Sequence, residues 1–312
     1  MAARHDVPAH PRYVGITPPP RFLAALMTAF LVVVGAIAAP GPAQAASPRK
    51  HKSIVYVEVN SNELANAGKY RLADGTNVFD IAIIFAANIN TGSDGNAKLH
   101  LNDKVQRTLD NADTQIRPLQ RHGTKVTLSL LGNHQKSGFA NFPTREAADQ
   151  YAAQVAQVVK QYGLDGVDID DEWVKYGSNG VPAANGQSAI WLVEALHAKL
   201  PQGSIISLYN IGPAAGQLAA ALSKVTDKIT YICNPHYGTY APPSFNVDKS
   251  RLGAAAVDLN QTGKSRIREL AQSTVRDGYG YFVTYDLTAG DHSATLSTFT
   301  EKLYGQRAVH KG

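Results

Sequence analysis

The sequence predicts a single-domain α/β fold, a (β/α)8 barrel of the TIM type. Three observations support this: eight short apolar segments with strand character, helical segments or loops between them, and a length of 312 residues. Alternating strands and helices indicate a parallel sheet, and eight such units in about 250 residues match the size of a barrel. A doubly wound open sheet is the alternative, but no glycine-rich phosphate loop follows the first strand.

The eight strands and the main helices can be assigned from apolar patterning. Strands are expected over residues 53–60, 79–85, 125–131, 164–170, 204–209, 229–234, 254–259 and 281–285. Helical spacing covers residues 101–120, 145–162, 187–200 and 264–277. For the helix over 145–162, Thr144 is the expected N-cap and Gly163 the C-terminal stop.

Composition excludes several classes of protein. Hydrophobic residues make up 44% of the chain and charged residues 18%, so a large core is expected and wholesale disorder is not. The one cysteine, Cys233, excludes a disulfide scaffold and is expected to be a small buried residue. Part of the net charge of +5 comes from arginines in the first 45 residues, and the weak remaining excess does not indicate nucleic-acid binding.

The first 45 residues have the order of a secretory signal peptide. An arginine-bearing head precedes an uncharged apolar run over residues 22–39, and Ala43 and Ala45 then place small residues at −3 and −1 of a cleavage site. We expect cleavage near Ala45, a short lead-in over 46–52, and a secreted, extracellular domain over 53–312 that is a monomer without membrane contact. Because the apolar run approaches the ~20 residues that span a bilayer, an uncleaved anchor is the alternative.

The acidic stretch DGVDIDDE, which ends at Glu172, indicates the chemistry. Since side chains on a strand alternate between faces, Asp168, Asp170 and Glu172 should face the barrel interior, with Val167 and Ile169 toward the helices. Acids about 6.6 Å apart in a partly desolvated site cannot all ionise freely. A carboxyl kept protonated at the C-terminal mouth of a barrel is what cleavage of a glycosidic bond requires.

Metal binding is the other interpretation of these acids. A calcium loop is disfavoured because the stretch lacks the central glycine and contains apolar Val167 and Ile169. A magnesium site at the barrel mouth is an alternative that a chelator would test. Three inward acids on an otherwise apolar strand are costly to bury without a function, which favours catalysis over a surface or capping role.

The pattern Asp-Gly-x-Asp-x-Asp-x-Glu over residues 165–172 resembles the active-site signature of glycoside hydrolase family 18. Further segments resemble the endo-β-N-acetylglucosaminidases of that family: LLGNHQ at 130–135, GFANFP at 138–143, ISLYNIGP at 206–213, NPHYG at 234–238 and GYG at 278–280. The resemblance covers most of the chain. It implies the barrel fold and hydrolysis of the GlcNAc-β1,4-GlcNAc core bond of high-mannose and hybrid N-linked glycans.

The resemblance also implies roles for the three acids. Glu172 would be the general acid and base, and Asp170 would orient the 2-acetamido group of the substrate. The carbonyl oxygen of that group would attack the anomeric carbon and form an oxazolinium, in place of an enzyme nucleophile, with retention of configuration. Asp168 would share a proton with Asp170. This chemistry implies no metal or cofactor.

Six further residues at strand ends are candidates for substrate binding: Asn234, Tyr237, Tyr209, Asn210, Tyr285 and Trp173. For the last four, packing in the barrel is an equal alternative. His236 stands where an aromatic residue is expected, and is either a subsite contact or a surface histidine. Asn133 and His134 either order their loop or contact substrate. Trp191, on a helix, is expected in the core.

Two related functions are alternatives to glycan release. Chitinases of this family commonly carry an inserted subdomain late in the chain, for which the segment between Asp258 and Tyr281 is too short. Barrels that bind glycans without cleaving them usually lose the last acid of the signature, whereas Glu172 is present here.

Overall fold

The computed structural model describes residues 49–312. The predicted signal peptide over residues 1–45 lies outside the described residues, as does the first part of the lead-in. In residues 49–312, none of the helices has the length and apolar character needed to cross a membrane.

Strands and helices alternate along most of this part of the chain. The strands are β1 (Lys52–Glu58), β2 (Tyr70–Leu72), β3 (Ile81–Thr91), β4 (Ala97–His100), β5 (Lys125–Leu131), β6 (Gly166–Asp170), β7 (Ile205–Tyr209), β8 (Tyr231–Cys233), β9 (Thr239–Tyr240), β10 (Leu252–Gly253), β11 (Ala255–Asp258), β12 (Tyr281–Tyr285) and β13 (Ala308–His310). The helices are α1 (Asp103–Asp110), α2 (Ala112–Gln115), α3 (Arg117–Arg121), α4 (Arg145–Tyr162), α5 (Gly186–Lys199), α6 (Gly212–Ala221), α7 (Lys264–Asp277) and α8 (Ser293–Leu303).

Parallel strands follow one another in the order β1, β3, β5, β6, β7 and β8, and β12 pairs with the other edge of β1. The stretch from Leu252 to Asp258 closes the ring, because β10 pairs with β8 and β11 pairs with β12. Counting β10 and β11 as one strand, the described residues form eight barrel strands in the predicted places. The predicted (β/α)8 barrel is therefore confirmed.

Alternation along the strands divides the apolar residues between two layers. On β1, Val55 and Val57 belong to the layer between strands and helices, whereas Ile54 and Tyr56 belong to the barrel interior. Buried Cys233 also lies in the interior layer. Because parallel strands run in one direction, all their carboxyl ends reach the same rim, and the loops after them surround one mouth.

The helix predicted over residues 145–162 is confirmed at both ends. The Thr144 hydroxyl accepts a hydrogen bond from the Ala147 N–H at 3.2 Å, and Gly163 ends the helix with a left-handed φ of 56°. Trp191 on α5 is partly exposed and packs against the outer core layer.

The single helix predicted over residues 101–120 is wrong, because the segment forms α1, α2 and α3. The Asn111 side chain donates to the Arg107 carbonyl at 2.8 Å and so competes with the helical backbone. Pro118 has no backbone N–H and falls at the start of α3. The spacing of apolar residues does not reveal either break between these helices.

Other elements were absent from the sequence-based assignment. Helices α6 and α8 are additional, and β3 continues past the predicted strand end to pair antiparallel with β4. The segment between Asp258 and Tyr281 contains only a turn and α7, as its length suggested.

Candidate active site

Strand β6 carries the acids into the barrel. Asp168 pairs in register with Ser129 on β5 and with Ser207 on β7, so the three side chains lie on one level of the interior. Asp168 and Asp170 are both fully buried, and Glu172 lies just past the strand and is partly exposed. Val167 and Ile169 pack in the outer layer, so the predicted alternation holds in the structure.

Three hydroxyl groups donate hydrogen bonds to Asp168. Ser207 donates to Oδ1 at 2.6 Å, while Tyr56 and Ser129 donate to Oδ2 at 3.1 and 3.4 Å. Burial raises the pKa of Asp168 to about 6, and the three donors oppose that rise because they stabilise the charged form. Asp168 is therefore a buried carboxyl whose charge is partly offset by neutral hydroxyls.

Asp170 has a different environment. Neither of its carboxyl oxygens has a hydrogen-bond donor among residues 49–312. Burial raises its pKa well above the ordinary value, and the negative charges of Asp168 and Glu172 raise it further. The Asp170 carboxyl is also close enough to Glu172 for the pair to form a hydrogen bond when one of them is protonated. This geometry favours one proton held between the two carboxyls.

Glu172 combines partial exposure with a raised pKa, which is caused by burial. The loss of water around the carboxyl disfavours its charged form, so the group retains its proton to higher pH than an exposed glutamate. A protonated carboxyl open to the barrel mouth can donate its proton to a bound ligand, which is the requirement for a general acid.

Aromatic rings form one wall of the mouth. Tyr237 and Tyr285 stack with ring centroids 5.1 Å apart and an interplanar angle of 13°, and Phe85 meets Tyr285 edge-on at 6.1 Å. Tyr209 is buried beside Tyr56, and its hydroxyl donates to the Pro235 carbonyl at 2.9 Å. The structure thus gathers Tyr209, Tyr237 and Tyr285 near the acids, with only Tyr237 substantially exposed.

The polar candidates Asn210 and Asn234, which follow β7 and β8, contribute less to the open mouth. Asn234 is fully buried, and its amide donates to the Thr239 hydroxyl and the Ala254 carbonyl, each at 3.0 Å. Its side-chain oxygen accepts from the His236 N–H at 2.9 Å, so both amide hydrogens and one lone pair of the oxygen are used within the protein. Asn210 is partly buried and its N–H donates to the Cys233 carbonyl, whereas His236 is exposed.

Trp173 lies on the exposed side of the acids. Its side chain is 55% exposed, and its backbone has a left-handed φ of 68°, which few residues other than glycine adopt. The ring contacts His134, with centroids 5.3 Å apart, so these two candidate residues lie side by side. Asn133 donates to Asn90 at 2.8 Å and orders this loop.

Sequence reasoning missed the donors around Asp168. Tyr56, Ser129 and Ser207 occupy inward positions on predicted strands, so strand alternation could have indicated that they face the barrel interior. Their level relative to Asp168 depends on the strand register, which the sequence does not show. It also missed the contacts of Asp171 and Tyr176, which lie behind the acids.

Replacement of Asp168 by asparagine tests the cost of its buried charge. The unfolded chain loses this proton near pH 4, whereas the folded protein holds it up to about pH 6, so wild-type stability falls as pH rises between these values. Asp168→Asn has no such loss. We expect its Tm relative to wild type to rise by several degrees between about pH 4 and about pH 7, since a shift of this size is worth on the order of 3 kcal/mol.

The same measurement on Asp277→Asn provides a control of opposite sign. A hydrogen bond from Arg276 lowers the pKa of partly exposed Asp277 to about 2, so its contribution to stability is present at neutral pH and lost in acid. Thermal unfolding of the three proteins between about pH 2 and about pH 7 is the measurement, because the contribution of Asp277 changes only below about pH 4. A constant difference in Tm between Asp168→Asn and wild type would contradict the assignment of a raised pKa to Asp168.

Comparison with known proteins places this site in a family. The model of glycosyl hydrolases family 18 matches residues 52–240. An endo-beta-N-acetylglucosaminidase of Flavobacterium sp. (strain SK1022) is 56% identical over 259 residues, which cover 83% of this chain and 82% of that protein. Endo-beta-N-acetylglucosaminidase F1 of Elizabethkingia meningoseptica is 28% identical and covers 83% of this chain and 80% of its own length.

Solved structures agree with this relationship. EndoBT-3987 of Bacteroides thetaiotamicron, crystallised with a Man5GlcNAc product, is 27% identical with a TM-score of 0.72, covering 84% of this chain. This chain spans 62% of the EndoBT-3987 chain. A chitinase from Pseudoalteromonas aurantia, 16% identical with a TM-score of 0.55, shares the fold alone. The extent of the family match and the 56% identity to the Flavobacterium protein show that the chain belongs to glycosyl hydrolase family 18.

Proposed function

We propose that the protein is an endo-β-N-acetylglucosaminidase that hydrolyses the GlcNAc-β1,4-GlcNAc core bond of high-mannose and hybrid N-linked glycans. The observation that carries this proposal is the set of three acids at β6: Asp168 and Asp170 lie on the strand inside the barrel, and Glu172, just past its end, is a proton donor at the barrel mouth. The names of the two similar proteins support the activity. EndoBT-3987 has been crystallised with Man5GlcNAc product and with Man9GlcNAc2Asn substrate, which supports the class of glycan.

The structure favours this function over a chitinase or a glycan-binding barrel. In the described residues the segment from Asp258 to Tyr281 holds a turn and one helix, with no inserted subdomain to deepen a groove for a linear polymer. Glu172 is present and has a raised pKa, as a catalytic acid requires.

We assign the steps of the reaction to the three acids. Glu172 donates its proton to the glycosidic oxygen while the carbonyl oxygen of the substrate's acetamido group attacks the anomeric carbon, and the bond to the leaving sugar breaks. Asp170 accepts a hydrogen bond from the acetamido N–H and offsets the positive charge of the oxazolinium. Glu172, now a carboxylate, removes a proton from water as the water oxygen attacks the anomeric carbon and opens the ring.

The surrounding residues complete the site. Asp168 and Asp170 share one proton. When Asp170 holds it, Asp168 is charged, and the hydroxyl donors of Tyr56, Ser129 and Ser207 stabilise that charge. Tyr209, Asn210, Asn234, Tyr237 and Tyr285 shape the pocket for the sugar whose bond is broken, and Trp173 offers an exposed ring beside Glu172 for a neighbouring sugar.

Digestion of a denatured high-mannose glycoprotein tests the activity. Mass spectrometry of the peptide should show a single N-acetylglucosamine left on asparagine. Glu172→Gln keeps the size of the side chain but removes its proton, so the rate should fall by ~10²–10⁴-fold while the fold is retained. Glu194→Gln, which breaks an exposed ion pair with Arg145 on the helical layer, should retain normal turnover. A folded Glu172→Gln variant with near-normal turnover would overturn the assignment.

The participation of the substrate's acetamido group has its own test. Asp170→Asn should slow glycan cleavage strongly, yet a preformed glycan oxazoline should still be hydrolysed, because the step that needs Asp170 has already taken place. A thiazoline analogue should bind much more tightly than the plain sugar, since species that resemble the transition state bind best. The product should retain its anomeric configuration. Detection of a glycosyl adduct on Asp170 or another carboxylate by mass spectrometry would show an enzyme nucleophile instead.

We also propose that the domain is exported as a secreted, monomeric protein. The arginine-bearing head, the apolar run and Ala43-Gln44-Ala45 support a signal peptide cleaved near Ala45. N-terminal sequencing of protein from the culture medium should give a start near Ala46. Recovery of the chain with Met1 intact in the membrane fraction would show an anchor.

A further inference from the structure

Asp171 lies between the two acids closest to the chemistry but points away from them. Tyr176 donates a hydrogen bond to its Oδ1 at 2.8 Å, and the backbone N–H of Ala214, in the first turn of α6, donates to its Oδ2 at 2.7 Å. The side chain is almost fully buried, and burial raises its pKa to about 6 against the effect of these two donors. Both carboxyl oxygens of Asp171 are therefore used to join β6 to α6 and to the loop of Tyr176.

Two glycines pack directly against the backbone of Asp171 and Glu172. A Cβ atom at Gly132, after β5, would lie 1.8 Å from the Glu172 carbonyl oxygen. A Cβ atom at Gly212, which has a φ of 73°, would lie 1.8 Å from the Asp171 carbonyl oxygen. Only glycine permits these approaches, so the neighbouring strand ends contact the backbone of residues 171 and 172 directly.

Tyr176 is itself fixed by the segment GFANFP at 138–143. The N–H of Ala140 donates to the Tyr176 hydroxyl at 3.3 Å, and a Cβ atom at Gly138 would lie 2.2 Å from that hydroxyl. This segment and ISLYNIGP at 206–213 both resemble family members, and neither contributes a reacting group. The first segment contacts Tyr176, which donates to Asp171, and Gly212 of the second segment lies against the Asp171 backbone.

Glu172 needs such support because it lies beyond the regular strand. Strand β6 ends at Asp170, so the ladder hydrogen bonds that fix Asp168 and Asp170 do not extend to Glu172. The following residue, Trp173, adopts a left-handed conformation and is mostly exposed. A general acid misplaced by about 1 Å can lose ~10²-fold in rate.

We infer that Asp171 is a positioning residue, which holds the turn that carries Glu172 so that its carboxyl can deliver a proton to the leaving sugar. The inference rests on the proposed function of Glu172 as the general acid. Asp171 does not touch substrate in this arrangement, and acts through the backbone that it shares with Glu172.

Two variants and two substrates test this role. Asp171→Asn places an NH₂ group opposite either the Tyr176 hydroxyl or the Ala214 N–H, both of which are donors. Tyr176→Phe removes the hydrogen bond to Asp171 while keeping the ring. Each is compared with wild type on a high-mannose glycopeptide, whose leaving sugar needs a proton, and on a nitrophenyl glycoside of the same glycan, whose leaving group does not. Tm is measured for every protein.

We expect Asp171→Asn to lower kcat on the glycopeptide by ~10–100-fold with KM within about twofold, and the loss on the nitrophenyl glycoside to be smaller than about threefold. Tyr176→Phe should show the same selectivity with a smaller loss, and it tests the inference if Asp171→Asn does not fold. Equal losses on the two substrates, or no loss beyond that of the controls, would overturn the inference.

Asp80 and Tyr304 provide a matched control pair at the start of the strands, away from the mouth. Asp80 accepts hydrogen bonds from the Tyr304 hydroxyl and from the Ser53 N–H, both at 2.9 Å, so like Asp171 it is bound by one tyrosine hydroxyl and one backbone N–H, and it has in addition an ion pair with Arg49 at 3.3 Å. Asp80→Asn and Tyr304→Phe should lower Tm while kcat on both substrates stays within about twofold of wild type.

The product of the wild-type protein distinguishes a failure of the proposed function from a failure of the positioning role. A peptide without a single residual N-acetylglucosamine would refute the function, whereas the variants test only the positioning role of Asp171.

Discussion

Carboxyl groups that share one buried volume repel each other unless protons or hydrogen-bond donors offset their charge, and this constraint shapes the centre of the barrel. Asp168 is surrounded by three hydroxyl donors, so it can carry charge at a tolerable cost. Asp170 has no donor within residues 49–312 and lies between two other acids, so it is the group that must hold or share a proton. The environments of the carboxyls along β6 therefore differ in how well they support a negative charge.

The barrel supplies this arrangement because parallel strands place different side chains at a common level. One strand carries the acids, and the donors to Asp168 come from β1, β5 and β7. The aromatic wall formed by Tyr237 and Tyr285 comes from the loop after β8 and the end of β12. Regular hydrogen bonding between strands fixes Asp168 and Asp170, whereas Glu172 depends on contacts made by Gly132 and by its neighbour Asp171. Glu172 is therefore held by residues that follow neighbouring strands rather than by the strand ladder itself.

The aromatic residues around Glu172 differ in their exposure. Tyr237 and Tyr285 stack on each other, and Tyr209 is buried beside Tyr56. The ring of Trp173, which follows Glu172 in the chain, is mostly exposed and contacts His134. Buried and exposed rings therefore lie close to the same acid.

The sequence alone determined the barrel, the acid strand and the faces of its residues, because periodicity of two and the turn residues act locally. It also identified helix α4 with both of its ends, since Thr144 and Gly163 act through nearby backbone groups. It did not show the breaks within residues 101–121, where one side-chain hydrogen bond and one proline outweigh apolar spacing. Only the tertiary structure decided that Tyr56, Ser129 and Ser207 meet Asp168, that the Asn234 amide is bonded to Ala254, and that Asp171 faces α6. Strand register and loop packing join these residues, which lie far apart in the chain.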